Sequence, residues 1–340
     1  MQSLYHFFYK IHRNYFLRKQ KTLPFKVISV GNITTGGTGK TPTVIEIALA
    51  IVKKGYQPII LTRGYKGAIR KPTFVTPKNL ADGLYHGHPR DVGDESILMA
   101  EKLPCVPVIK AKNRFEGGIF ALKHLERYKN DTGCNISDEV VFILDDGFQH
   151  WRLHRDIDIV VIDGSNPFGN KKLLPFGILR EPLTELKRAD MFIVTRSLHS
   201  DLIDTIRLYN SNSEIFYAKT TAVRLIDIQN TPHPLDKLKD KRPFVFAGIG
   251  NNEQFRRMIQ DLSSVDVQFK AFNDHHYYTV SDISSIKKSA DAKGCNIILT
   301  TEKDIIKIRH IKADIHDIYA VEIRLEIQEG FYDLLFSRLI

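Results

Sequence analysis

KVISVGNITTGGTGKTP, Lys26 to Pro42, decides how the rest of this chain is read. An apolar, β-prone run, KVISV, ends at a glycine. A loop containing Gly36, Gly37 and Gly39 follows, and Lys40 and Thr41 then open an apolar helical stretch reaching about Val52. Glycines let a backbone turn tightly enough for successive N–H groups to face phosphate oxygens. A lysine at position 40 can reach the β- and γ-phosphates of a nucleotide, and the Thr41 hydroxyl can ligate Mg²⁺. The helix N-terminus adds a field that favours anions. Thr34, Thr35, Gly36, Gly37, Thr38, Gly39, Lys40 and Thr41 are therefore the expected nucleotide contacts. The usual phosphate-loop pattern begins with glycine, and here Thr34 stands at that position. The strand–loop–helix context carries the reading against the alternative of a merely structural glycine-rich turn.

Working outward, further strand candidates are PIILT near Ile60, VPVIK near Val108, EVVFILDD ending at Asp146, DIVVID ending at Asp163 and MFIVT near Ile193. Helical stretches such as SILMAEKL and RFEGGIFALKHLERY separate several of them. Apolar strands alternating with helices imply an α/β fold, a P-loop NTPase-like, mostly parallel sheet covered by helices. Beyond Tyr217 the texture changes. AVRLIDI leads into a charged, turn-rich stretch with Pro232, Pro234 and KLKDKRP, and a second α/β run begins at FVFAGIG. The expected organisation is a basic amphipathic helix at 1–22, a P-loop domain at 23–221, a hinge at 222–240 and a smaller α/β lobe at 241–315. Residues 316–340 would form a return strand and a helix packing on the first lobe.

Composition narrows the class. The chain has 340 residues, 43% hydrophobic and 26% charged, enough for a large globular core. No apolar run approaches the roughly 20 residues that span a bilayer. The apolar start is interrupted by Lys10, His12 and Arg13, so a secretory signal is not expected. Three cysteines, Cys105, Cys134 and Cys295, lie far apart without a C-x-x-C pair. Neither a zinc site nor a disulfide is expected from them. The net charge of +10 calls for an anionic partner: nucleic acid, anionic lipid or a phosphorylated substrate. No acidic residue precedes Glu46. In residues 2–21, Leu4, Phe7, Phe8, Ile11 and Tyr15 recur at helical spacing among Lys10, Arg13, Arg18, Lys19 and Lys21. Such a helix can lie in a membrane interface or dock on its own domain, and pattern alone leaves both open.

Carboxylates mark the rest of the chemistry. In LDDGFQH, Asp145 and Asp146 fall at the C-terminal end of an apolar strand, where ligands bind in open α/β sheets. One carboxylate there can hold Mg²⁺ directly or through water; the competing reading is an ordinary Asp-Gly turn. Asp94 and Glu95 in DVGDES read, on their own, as a helix N-cap. The run DHH, Asp274 to His276, is either a catalytic pair or surface polarity.

Taken together, SVGNITTGGTGKTP (29–42), LTRGYKG (61–67), VGDE (92–95), LDDGFQH (144–150), LREP (179–182), FNDHHYYT (272–279) and TTEKD (300–304) resemble the tetraacyldisaccharide 4'-kinases, in that order along nearly the whole chain. That family transfers the γ-phosphoryl of ATP to the 4'-hydroxyl of an acylated glucosamine disaccharide 1-phosphate, giving lipid IV-A in lipopolysaccharide synthesis. The resemblance implies ATP and Mg²⁺ as cofactors. It implies Asp94 and His275 as a catalytic dyad, and Glu95 and Asp146 as organisers of Mg²⁺, beside Thr41 and Asp145, which the loop and the strand end themselves offer. Arg63, Tyr65, Arg114 and Arg180 would lie near phosphates or substrate. It further implies peripheral placement at the cytoplasmic face of a bacterial inner membrane, against an anionic surface, with neither nucleic acid nor an obligate protein partner. The rivals are a nucleic-acid-stimulated ATPase and a non-enzymatic ATP-binding membrane scaffold.

Overall fold

A computed structural model describes residues 11, 13–76, 83–135, 137–263, 265–313 and 315–339. Leu4, Phe7, Phe8 and Lys10 of the proposed interfacial helix lie outside them; 13–18 are helical. The chain divides into two compact units, Met1–Lys219 with Leu325–Ile340, and Thr220–Arg324.

In the first unit the strands are β1 (Val27–Gly31), β2 (Gln57–Thr62), β3 (Thr73–Val75), β4 (Tyr85–His86), β5 (Val108–Lys110), β6 (Val140–Asp145), β7 (Ile157–Asp163), β8 (Met191–Thr195) and the start of β9 (Glu214–Ile226). Their order is β9-β8-β7-β1-β6-β2-β5-β3-β4. Every pairing from β9 to β5 is parallel, and β3 runs antiparallel to β5. Strands β1, β2, β6 and β8 are buried at every residue, because helices cover both faces. Their Val, Ile and Phe content suits that burial: β-branched and aromatic side chains pack well on a pleated surface. Fully buried side chains such as Phe142, Ile28 and Phe192 each contribute roughly 1.5–3 kcal/mol. The register sets Val30 beside Asp145 and Leu61 beside Leu144, so the C-terminal ends of β1, β2 and β6 lie level.

The stretch read as one helix from Arg114 is two, Arg114–Lys123 and Leu125–Thr132, meeting at His124. Its return brings Cys134 to Cys105, and the two are disulfide-bonded with Cα atoms 5.4 Å apart. This overturns the expectation of unpaired cysteines. A separation of 29 residues along the chain carries no sign of a helical excursion that folds back. The Phe331–Leu339 helix belongs to this unit: Phe331 packs edge-on against Phe216, and Arg338 pairs with Asp190 at 3.1 Å.

The second unit holds the rest of β9 together with β10 (Pro232–His233), β11 (Pro243–Ala247), β12 (Gln268–Ala271), β13 (Ile297–Thr301) and most of β14 (Ile318–Ile327). The order is β12-β11-β13-β14-β9, with β10 antiparallel on β9. Helices Asn252–Leu262, Val280–Ala292 and Glu302–Ile308 cover it. Among the described residues no helix is long and apolar enough to cross a membrane.

Candidate active site

The glycine-rich loop leaves β1 and is braced on two sides. On one, Thr34 bridges Leu179, the Thr35 N–H donates to the Ile178 carbonyl at 2.8 Å, and the Arg180 N–H donates to the Ile33 carbonyl at 2.8 Å. Thr34 therefore sits in extended backbone that any residue adopts, which is why glycine is dispensable at the head of the loop. On the other side, the Thr195 hydroxyl donates to the Thr38 carbonyl at 3.0 Å and the Arg196 guanidinium to the Gly37 carbonyl at 2.6 Å. Arg196 is itself ion-paired to Asp163. The left-handed backbone falls on Gly36 (φ +105°) and Gly39 (φ +96°), where a side chain would be strained. Gly39 is the N-cap of the Lys40–Lys53 helix, whose opening turn has no side-chain cap. Its first N–H groups are thus free of competition from a cap and point toward the place an anion would take.

Lys40 Nζ stands 3.6 Å from Asp146 Oδ1, and Arg180 donates to both carboxylate oxygens of Asp146 at 2.8 Å. Burial pushes this carboxyl up, but the charges of Lys40 and Arg180 outweigh it and hold Asp146 at about 2. Its neighbour behaves oppositely. Asp145 is buried at the end of β6 and accepts from the Thr62 hydroxyl at 2.8 Å. Burial first, then the negative charges of Glu95 and Asp146, push Asp145 up to about 6. Arg114 is also buried and donates to the carbonyls of Asp145 at 3.2 Å and Ala111 at 3.3 Å. Burial lowers its guanidinium to about 10, still a full cation at neutral pH. Burial, aided by Arg114 and other arginines, holds His150 at about 3, so that imidazole is neutral.

Asp94 opens the Asp94–Lys102 helix, is buried, and accepts from the Glu95 N–H at 3.0 Å. It is the first helical residue; the cap position falls to Gly93, which corrects the N-cap reading. The preceding turn is fixed by backbone laid on backbone. A Cβ on Gly93 (φ +93°) would meet the Tyr65 carbonyl at 2.8 Å, and one on Gly64 would meet the Val92 carbonyl at 2.4 Å. Lys110 donates to the Asp91 carbonyl at 2.8 Å and to that of Ile69. LTRGYKG and VGDE are thus one packed construction, and Arg63 and Tyr65 project from it, exposed.

In the second unit His275 has a left-handed backbone (φ +57°), its N–H donating to the Gly248 carbonyl at 3.1 Å. Its Nε2 lies 3.8 Å from Asp274. His276 instead packs on Phe272 and Tyr278 and contacts Asp282 at 3.3 Å. Asp304 of TTEKD is fully buried. It accepts from the Gly248 N–H at 3.0 Å and the Thr301 hydroxyl at 2.7 Å, and pairs with Lys307 at 2.7 Å.

Lys40, Asp146, Asp145, Arg180 and Arg114 are thereby gathered within the first unit, with Glu95 near enough for its charge to act on Asp145. Sequence reasoning missed Thr62, Gln149, Thr195 and Arg196. Gln149 accepts from Arg180 at 3.3 Å and donates to the Asn32 carbonyl at 2.8 Å. Thr62 and Thr195 are the last residues of β2 and β8, so the rule that ligands gather at strand C-termini would have found them. Among the described residues no three His, Cys, Asp or Glu side chains come together as a metal cage. The donor set instead suits a cation that brings its own oxygen ligands. Burial and then the negative charges of Glu95 and Asp146 raise Asp145, so this cluster would welcome positive charge, and Mg²⁺ bound with phosphates needs only one or two protein carboxylates.

The model of the tetraacyldisaccharide-1-P 4'-kinase (LpxK) family matches residues 1–340. A tetraacyldisaccharide 4'-kinase of Halothermothrix orenii is 36% identical over 332 residues, covering 91% of this chain and 82% of its own length. One from Syntrophus aciditrophicus is 37% identical over 328 residues, covering 92% and 84%. An LpxK from Aquifex aeolicus, solved as an "apo" form in complex with ATP, is similar with a TM-score of 0.74 at 30% identity, covering 100% of this chain and 97% of that one.

Proposed function

The chain belongs to the tetraacyldisaccharide-1-P 4'-kinase family, and from that premise we propose how it transfers the γ-phosphoryl of ATP to the 4'-hydroxyl of a tetraacylated disaccharide 1-phosphate in lipid A synthesis. The observation that carries the proposal is the braced glycine-rich loop with Lys40 beside Asp146 at the ends of β1 and β6. The loop N–H groups and Lys40 bind the β- and γ-phosphates of ATP. Phosphoryl transfer asks for positioning and charge neutralisation more than covalent chemistry, and rigid donors supply both without reorganising. Mg²⁺, held by Thr41 with Asp145, Asp146 and Glu95, would supply charge neutralisation at the phosphates. With ATP present, Lys40 exchanges its contact with Asp146 for phosphate oxygens, and Arg180 keeps Asp146 ionised and aimed.

Asp94 accepts the proton of the sugar hydroxyl. Burial, the helix N-terminus and the glycine-packed turn hold its carboxylate still. His275 enters on the FNDHHYYT resemblance as the residue that tunes Asp94, and His275→Ala lowers kcat with ATP binding retained. Arg63, Tyr65 and Arg114 are placed in the same proposal as contacts to substrate and phosphate. The basic N-terminal helix, in turn, holds the enzyme peripherally on the cytoplasmic face of the inner membrane. The test is a transfer assay with γ-labelled ATP and a panel of acceptors. Label appearing on the acylated disaccharide 1-phosphate, and on neither water nor an unacylated sugar, is the expected result. Hydrolysis stimulated by DNA or RNA, without transfer to lipid, would overturn it.

A further inference from the structure

Between β7 and β8 the chain makes an excursion, GNKKLLPFGILR, Gly169 to Arg180, that contains no acidic residue. Lys171, Lys172, Leu174, Pro175 and Phe176 are all exposed, Phe176 by 49%. The excursion is nonetheless a built structure. Phe168 and Leu179 anchor its two ends in the core. The Asn170 side chain donates to the Phe176 carbonyl at 2.8 Å and accepts from the Lys172 N–H at 3.1 Å. The N–H groups of Phe176 and Gly177 both donate to the Leu173 carbonyl, and that of Leu174 to the Leu179 carbonyl. A side chain on Gly177 would collide with Asn170 and with the Lys172 carbonyl at 2.2 Å. A loop with its backbone satisfied in this way holds two large apolar side chains in water by design of its hydrogen bonds, beside two cations.

We propose that this loop, residues 171–176, is a second membrane-docking element, seating Leu174 and Phe176 at the interface of an anionic bilayer while Lys171 and Lys172 meet its headgroups. Charge complementarity selects this occupant: apolar tips flanked by lysines suit the boundary between acyl chains and anionic headgroups. A second observation points the same way. A little further along the same segment, Glu185 pairs with Arg13 at 3.4 Å, on the helical stretch where Ile11 and Tyr15 are 51% exposed. The base of the loop also braces the glycine-rich loop through Ile178 and Arg180, so docking would bring the phosphate site to the surface where a lipid acceptor lies. The proposal rests on the loop's surface and not on the kinase reading.

The test uses the full chain and vesicles of phosphatidylcholine with and without phosphatidylglycerol. Leu174→Ser with Phe176→Ser lowers partitioning into the anionic vesicles about tenfold, and Lys171→Gln with Lys172→Gln does the same at low salt only. Both pairs are exposed and keep the wild-type melting temperature. In a separate variant, Phe176→Trp, the indole emission shifts to the blue when anionic vesicles are added; Trp151, the chain's own tryptophan, is buried and serves as background. Unchanged partitioning in both pairs, or an unshifted emission, overturns the proposal. Unchanged partitioning with a raised KM for the lipid acceptor also overturns it, and assigns the loop to the acceptor's acyl chains instead.

Discussion

Asp145 and Asp146 are neighbours in the chain with opposite electrostatics, and the difference comes from which cations reach them. Asp146 turns out of the strand on a left-handed backbone (φ +52°) and meets Lys40 and Arg180. Asp145 stays in the strand, buried, facing other carboxylates. The sequence shows both as strand-end carboxylates; which one is paired depends on a φ angle and on Arg180, a residue from a remote segment. Asp145 in its ionised form therefore costs the ligand-free fold. Pushed up to about 6 in the fold, it lies above the ordinary carboxyl value of 3.8, so the folded state holds a proton the unfolded state releases between those values. Stability is lost as pH rises through that window. Asp145→Asn is expected to raise stability at pH 8 by on the order of 2–3 kcal/mol. The gain should shrink between pH 6 and 4 in urea titrations, and a gain that does not vary with pH would contradict this origin. Lys40→Ala is expected to abolish transfer while the protein stays folded, since it removes the phosphate cation; residual activity near wild type would refute the role of the loop.

Strand ends carry most of what was legible. The run from Val27 to Thr41 announced strand, loop and helix because local chemistry alone fixes that order. The acidic end of β6 was legible for the same reason. Bracing of the glycine-rich loop by Leu179 and Arg196 was not, because segments far apart in the chain supply it. Short edge strands β3 and β4 and the Cys105–Cys134 bond escaped for the same reason: neither has periodicity to read. TTEKD, one of the stretches that carry the family resemblance, is knit into the second unit by its aspartate. Asp304 ties Thr301, Gly248 and Lys307 together, and Gly248 in turn receives the His275 N–H. Asp304→Ala removes the carboxylate 2.7 Å from the buried Lys307 ammonium, so it should cost about 3–5 kcal/mol. Asp304→Leu combined with Lys307→Met should cost less than Asp304→Ala alone in denaturant unfolding. A double variant worse than the single would mean the pair contributes net stability rather than mutual neutralisation.

For the molecule as a whole, a net charge of +10 named only the sign of its partners; the surfaces that carry it give it meaning. The sequence suggests a hinge at 222–240 and a smaller lobe at 241–315; the compact unit is Thr220–Arg324, with its division inside β9 and β14, where a strand's pattern does not change. The two units share out the motifs: phosphate loop, acidic strand end and Asp94 on one, FNDHHYYT and TTEKD on the other. On the first unit, the proposed step is that Asp94 takes a proton from a sugar hydroxyl as the phosphoryl group arrives. That claim is tested most directly by the kcat of Asp94→Asn at saturating ATP and lipid disaccharide, with ATP affinity measured on the same preparation. Asparagine keeps the shape and the helix-end contacts but cannot accept the proton. A loss on the order of 10²–10⁴-fold in kcat with ATP affinity unchanged is the predicted result, and wild-type turnover in the folded variant would contradict it.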